Sequence, residues 1–445
     1  MTSRRVDPTA WLARAAAESR VIDAEVGFSR QHFVQPLVLS TGQIEAITQA
    51  DARVRVEVGG VEVEGRGCIF LSDLWAWPDP DIEHATRDAA MRRCCEAYAQ
   101  TLPRDYGQPA HPLATGLRLH EDAVHGAIDP TDTPTPPALA RSVCVSIFDA
   151  AVHDAVGRAL RVSAFDLYDD DLPVEESDRF FDRDSGTFAA IRRLLDSPPR
   201  ECSPAWWLVG QNDDLETSLR PRIQRDGYRA LKLKILGRSS RDDADRVATV
   251  YRAARAWGVD RPRLSIDSNE ANPDAASVAE FLDRLEADDP DAYTALEMIE
   301  QPTGRDIELH AHDWSAVAAR KPVMVDEGLI DLPAMQTAKA QQWSGFALKT
   351  CKGHSFTLAA AAWAHRHGMP VSLQDLTNPG LSAVHAALFA ARVPTINGVE
   401  LNSPQFTPAA NEAWLERYPG LFDIGGGEHQ LPDPNRVAGL GSQPD

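Results

Sequence analysis

Three acids close three apolar segments: Asp267 in Ser265-Ile266-Asp267-Ser268-Asn269, Glu300 in Ile299-Glu300-Gln301-Pro302, and Asp326 in Val325-Asp326-Glu327-Gly328. If those segments are neighbouring strands, the carboxylates converge. Hard oxygen donors so placed suit Mg²⁺, which keeps coordination positions for water or substrate. An acid at a strand end also caps the helix that follows. Capping explains any one of them as well as a metal does, but three in succession favour the metal. Lys232 and Lys234, in Leu231-Lys232-Leu233-Lys234-Ile235, are two apart and share one strand face, with the aliphatic residues on the other. Crowded ammonium groups have their pKa depressed toward that of a useful base. Lys349, in Ala347-Leu348-Lys349-Thr350, offers another ammonium from a later segment. Opposed lysines beside a metal can remove and return a proton next to a carboxylate.

These residues need a scaffold that brings distant positions to one rim. Short apolar segments at 205–209, 230–236, 263–266, 296–300, 322–325, 345–349, 370–373 and 398–401 are separated by Ala- and Arg-rich helical stretches, the alternation of parallel βα units. Polar residues end seven of them: Lys234, Asp267, Glu300, Asp326, Lys349, Asp375 and Glu400. Each step along that series is about one strand plus one helix, which predicts an eight-stranded TIM-like (β/α) barrel with its chemistry at the C-terminal rim. Before it, 20–74 alternates as Val54, Val56, Val58 and Val61, Val63 around Gly59-Gly60, a hairpin signal. Helical spacing follows at 82–98 and 138–160. The fold class is thus α/β, a barrel behind an N-terminal α+β capping domain: cap 1–160, acidic irregular connector 161–199 with Asp169-Asp170-Asp171, barrel 200–422, and a loose Gly425-Gly426-Gly427 tail over 423–445. Cap segments 28–38 and 72–79 are placed to close the pocket, where Trp75 and Trp77 either contact the ligand or pack cap against barrel.

Composition narrows the function. The chain of 445 residues has 43 % hydrophobic and 25 % charged residues, as in ordinary globular proteins. No apolar run is long enough to span a membrane. Lys plus Arg number 45 against 66 acids, and a net charge of −21 excludes a general nucleic-acid surface. Arg4 and Arg5 are followed by Asp7 and Pro8 where a signal peptide needs apolar residues, and six cysteines without a CxxC pair read as reduced; both predict a cytoplasmic protein. A glycosidase barrel would use two carboxylates but would leave the inward lysines unexplained.

In this order and spacing, Lys232 and Lys234 (KxK), Asp267 and Asn269 (DxN), Glu300 to Pro302 (EQP), Asp326 and Glu327 (DE) and Lys349 resemble the enolase superfamily, in particular the mandelate racemase and muconate lactonizing branch. The two-lysine muconate lactonizing subgroup is the most similar. The chain lacks the His of the racemase-like subgroup, and Gly353-His354 stands where a Gly-Gly often follows the lysine. The resemblance implies a Mg²⁺-dependent isomerase or lyase that abstracts the proton α to a carboxylate through an enediolate. It implies Asp267, Glu300 and Asp326 as metal ligands, with Glu327 as the alternative to Asp326. It further implies Lys234 and Lys349 as acid and base, and Lys232 as a cation on the carboxylate side. Glu400 is expected to reach the substrate carboxylate as a protonated donor, or else to pair with a lysine such as Lys349; Asn269 and Asp375 complete the candidates. The expected partner is a small carboxylate-bearing substrate, with a homo-oligomer left open. The alternatives are an acid-sugar-type dehydratase and a catalytically silent ligand-binding member.

Overall fold

The computed structural model describes residues 11–39, 42–126, 134–168, 172–181 and 186–442. Val54, Val56 and Val58 are buried while Arg53 and Arg55 are exposed, the period-2 signature of a half-buried sheet. They lie on β2 (Gly42–Val58), between β1 (Arg20–Leu39) and β3 (Val61–Phe70) in an antiparallel sheet of order β1-β2-β3. Gly59 and Gly60 take φ of 59° and 83°, the left-handed pair that a two-residue hairpin requires. The helices His84–Asp105 and Ala138–Leu160 cover the buried face. Contact is close at Gly67, where a Cβ would fall 2.1 Å from the carbonyl of Ile147, so only glycine fits.

A short β4 (Cys202–Pro204) leads into the second sheet, which is wholly parallel. Its strands β5 (Trp206–Val209), β6 (Ala230–Lys234), β7 (Arg263–Asp267), β8 (Leu296–Glu300), β9 (Val323–Val325), β10 (Gly345–Leu348) and β11 (Val371–Leu373) lie side by side in chain order. Leu231, Leu233, Ile266 and Ile299 pack into the main core, while Met298, Met324 and Ala347 form a separate cluster. This curled sheet with its antiparallel cap is the expected α/β barrel architecture.

The eighth expected strand, 398–401, does not form. Side chains take over its hydrogen bonds: the Asn397 amide accepts from the Leu373 N–H and donates to the Leu373 carbonyl, both at 2.9 Å, while the Val399 N–H donates to the Ser203 hydroxyl. The Glu400 N–H, bonded to the Leu373 carbonyl at 3.0 Å, and the Ile396 N–H just before the segment, bonded to the Val371 carbonyl at 2.9 Å, keep strand-like contacts with β11. Two further expectations are corrected. The stretch after 161 carries helices at Glu175–Asp178 and Thr187–Leu194, the latter packed on His354–Arg366; Asp169-Asp170-Asp171 lies outside the described residues. The glycine-rich tail is packed: β12 (Glu428–Gln430) pairs antiparallel with β4, and Leu440 is fully buried. No helix among the described residues is long and apolar enough to cross a membrane.

Candidate active site

Parallel strands deliver their C-terminal residues to one rim, and here they deliver ions of both signs. The pairing of β6 with β7 sets Lys234 opposite Asp267, and that of β7 with β8 sets Asp267 opposite Glu300. Lys232 and Lys234 share one face, as their spacing requires. Lys232, 2 % exposed, reaches three carboxylates: Glu300 at 2.7 Å, Glu400 at 3.1 Å and Asp267 at 3.3 Å. Lys234 donates to Asp267 at 2.5 Å and to the Asn269 amide oxygen at 2.9 Å. From the other side Lys349 meets Asp326 at 3.1 Å and Glu300 at 3.4 Å.

Asp267, Glu300 and Asp326 therefore belong to one network, with Lys232 and Lys349 between them. Among the described residues no three His, Cys, Asp or Glu side chains form a ready metal cluster. The donor chemistry nevertheless fits a divalent cation. Asp267, Glu300, Asp326, Glu327, Asp375 and Glu400 are all buried, against Lys232, Lys234, Lys349 and Lys352. Carboxylates of Asp267, Glu300, Asp326 and Glu327 are hard oxygen donors crowded at one rim, and one Glu327 oxygen is buried without a hydrogen-bond partner among the described residues.

The electrostatics differ from the sequence-based expectation that crowded lysines lose their protons. Burial pulls the Lys349 pKa down, but Asp326 and Glu300 outweigh it and hold the pKa above the ordinary lysine value. Lys232 is raised by the same balance, with Glu300, Glu400 and Asp267 against burial. Glu300 pays for the arrangement: burial and two neighbouring acids push it up to about 7 despite Lys232 and Lys349. Asp267 and Asp326 go the opposite way, since the lysines overcome their burial.

The remaining candidates divide. Glu400 pairs with Lys232, not Lys349, and accepts from the Asn402 amide at 2.6 Å. The Asp375 carboxylate caps the Asn378 and Asn402 N–H groups, so only its carbonyl meets Lys349; burial raises it to about 7. Trp75 donates its indole N–H to Glu327 at 2.8 Å and places its ring 5.3 Å from the Lys349 ammonium. Trp77 lies outside this pocket. A cavity of about 40 Å³, room for no more than a few waters, is lined by Phe33, Leu37 and Trp75 of the cap and by Lys234, Lys349 and Glu400 of the barrel.

Two participants, Lys352 and Gln374, escaped the sequence reading, and a third, Gln301, entered it only as part of a motif without a role. Lys352, 1 % exposed, donates to the Asp326 carboxylate at 3.2 Å, and Gln374 donates to Glu300 at 2.7 Å. Gln301 accepts from the Asp326 and Gly328 N–H groups, fixing the loop that carries the acid pair. Its φ of 31°, with Asn269, Glu270 and Thr377 also left-handed, places four of the six positive-φ non-glycine residues among the described residues at this rim. The Gln-Pro after Glu300 was the available signal; Lys352 gave none apart from its closeness to Lys349.

Residues 214–445, more than half of the chain, match the family described as enolase C-terminal domain-like, and the chain belongs to that family, within the enolase superfamily. No curated protein matches it. Solved structures share the fold at low identity. A dipeptide epimerase from Enterococcus faecalis V583, complexed with Mg and L-Leu-L-Tyr, is 15 % identical over 95 % of this chain and 99 % of its own, with a TM-score of 0.64. A Bradyrhizobium enolase complexed with magnesium and mandelic acid is 18 % identical over 95 % of both chains, with a TM-score of 0.61. A muconate lactonizing enzyme from Pseudomonas fluorescens, complexed with muconolactone, is 18 % identical over 87 % of this chain and 89 % of its own, with a TM-score of 0.59.

Proposed function

We propose that the protein is a Mg²⁺-dependent enzyme that abstracts the proton α to a substrate carboxylate, giving an enediolate, and works as a racemase, epimerase or cycloisomerase of the two-lysine kind. The observation that carries this reading is the placement of Lys234 and Lys349, from β6 and the end of β10, on the walls of one small cavity beside the carboxylate network. Mg²⁺, when bound, would stabilise the negative charge that develops on the substrate carboxylate; Asp267, Glu300 and Asp326 are the residues to hold it.

The chain's own groups supply the rest. Lys349, kept protonated by Asp326 and Glu300, is the donor in the state described here. Lys349 becomes a base only when the carboxylates holding its proton are engaged elsewhere, which ties proton abstraction to occupancy of the acid network. Lys232, bound to Glu300 and Glu400, is the fixed cation for a substrate carboxylate. Phe33, Leu37 and Trp75 exclude water over the reacting carbon. All six cysteines are free, which agrees with a reducing, cytoplasmic location.

The test is deuterium exchange at the α-carbon of amino-acid derivatives, dipeptides and sugar acids in D₂O with Mg²⁺, with chelator as control. Expected are exchange with at least one acid and its loss with chelator. In Lys234→Ala and Lys349→Ala, exchange should vanish from opposite enantiomers. Equal residual exchange from both enantiomers in both variants would overturn the two-sided arrangement.

A further inference from the structure

The segment 71–82 joins β3 to the cap helix His84–Asp105 and carries Trp75 across to the barrel. The Trp75 indole N–H goes to Glu327 at 2.8 Å, and its carbonyl accepts from Arg305 at 3.0 Å. Its ring lies 5.3 Å from the Lys349 ammonium and 5.8 Å from that of Lys352. Local structure does not account for this placement. The helix Asp73–Ala76 has four residues, its N-cap Ser72 makes no side-chain cap bond, and a single helical turn does not form unaided.

Arg87 supplies the missing constraint. It lies in the first turn of the helix His84–Asp105, 5 % exposed and outside the lysine pocket. Its Nε donates to the Asp73 carboxylate at 2.8 Å, and its Nη1 donates to the carbonyls of Asp79 and Ile82. One planar guanidinium thus ties the start of the segment to its end, a fork that the single nitrogen of a lysine does not reproduce. His84, whose side chain is half-exposed, adds a contact to the other Asp73 oxygen at 2.9 Å.

We infer that Arg87 is a positioning residue for the candidate site: by closing the segment 71–82 from behind, it sets Trp75 against Glu327 and beside Lys349. The placement of Trp75 can be read without turnover. Its consequence for proton exchange rests on the proposed reaction.

Fluorine NMR of the full-length protein labelled with 5-fluorotryptophan tests the inference. The chain has ten tryptophans, and Trp75→Phe identifies the Trp75 signal by its loss. In Arg87→Ala that signal is expected to shift or broaden, together with that of Trp77 on the same segment, while the barrel tryptophans keep theirs. Millimolar guanidinium, which fits the space left by the side chain, should return the Trp75 signal; sodium chloride at the same ionic strength should not. With an acid that the wild-type protein exchanges, Arg87→Ala should lower deuterium exchange at least tenfold, since small misplacements at a site reduce rates steeply. Guanidinium should restore exchange in step with the Trp75 signal. Arg87→Lys, which keeps the charge without the fork, should displace the signal too, and it decides if circular dichroism shows that Arg87→Ala has not folded. An unmoved Trp75 signal in a folded variant, displacement spread over the barrel tryptophans, no recovery with guanidinium, or full exchange with Trp75 displaced overturns the inference. Absence of exchange from every acid in the wild-type protein would count against the proposed reaction instead, and the fluorine signals would still decide the placement.

Discussion

The barrel mouth and the joint between cap and barrel both bury many ionisable groups, and they bear that cost in opposite ways. At the mouth charge is kept: lysines are interleaved with carboxylates, and Lys232 touches three acids. At the joint the histidines give theirs up. His111, His120, His354 and His385 are buried, and burial lowers their pKa values, His385 to about 3 and His120 to about 4. His354 lies 4.5 Å from the ring of His153 and edge-on to Phe165 and Phe389, while His120 stacks on Phe356. Asp149 accepts from the Ser355 N–H and hydroxyl across the joint. A mouth that holds charge of both signs can move protons; at the joint, neutral imidazoles packed around the ionised Asp149 carboxylate fix the cap in place.

The comparison breaks most readily at Glu300, which links Lys232 to Lys349. Glu300→Gln is expected to abolish Mg²⁺ retention and to lower deuterium exchange by about 10³-fold or more, given what positioned acid–base groups are worth; metal analysis after gel filtration and the D₂O assay check both. Next comes Lys232→Met, which takes a shared ammonium from Asp267 and Glu300 and leaves the buried Glu400 carboxylate without its ion pair. Removing one partner of a buried pair costs about 3–5 kcal/mol, to be read by denaturant unfolding at pH 7. Lys234→Met should cost less, because Lys234 is only partly buried and its partner Asp267 keeps Lys232.

The joint predicts an acid limit. In the unfolded chain these imidazoles protonate below about pH 6.5, whereas in the fold His385 stays neutral to about 3 and His120 to about 4. Between those values the unfolded state binds more protons, so stability falls as the pH drops through the window. Each histidine contributes up to about 1.4 kcal/mol per pH unit. Urea unfolding from pH 7 to 4.5 should show the slope, and His385→Asn should flatten it. Glu400→Gln sharpens the comparison with the smallest effect. Because Glu400 pairs with Lys232 and accepts from Asn402, losing its charge should reduce exchange by about tenfold, roughly 1.4 kcal/mol, with little change in unfolding. A pH profile shifted at near-normal rate would instead support a donor role for Glu400.

The mouth was legible and the joint was not, for a physical reason. Lys232, Asp267, Glu300, Asp326 and Lys349 each end or occupy an apolar strand, so the repeat length alone carries them to one rim. His354 and His385 were readable only as helix residues, since their burial depends on how the cap docks. Lys352 lies three residues beyond Lys349, past the strand end, where a one-turn 3₁₀ helix turns it back onto Asp326. The eighth strand was misread because Gly398-Val399-Glu400-Leu401 has strand-like residues, yet its hydrogen bonds are taken by Asn397 and Ser203, which strand patterns do not weigh.

Asp154, on the long cap helix, receives hydrogen bonds from the Leu440 N–H, 286 positions later, and from the Ser442 hydroxyl. While a ribosome is still extending the chain, the cap therefore holds a buried carboxylate that has Arg66 and Arg158 beside it but lacks the rest of its partners. The α+β unit can collapse early, but it must wait for residues near 440 before that helix is satisfied. Nascent chains released short of that point should be the ones that chaperones and proteases find.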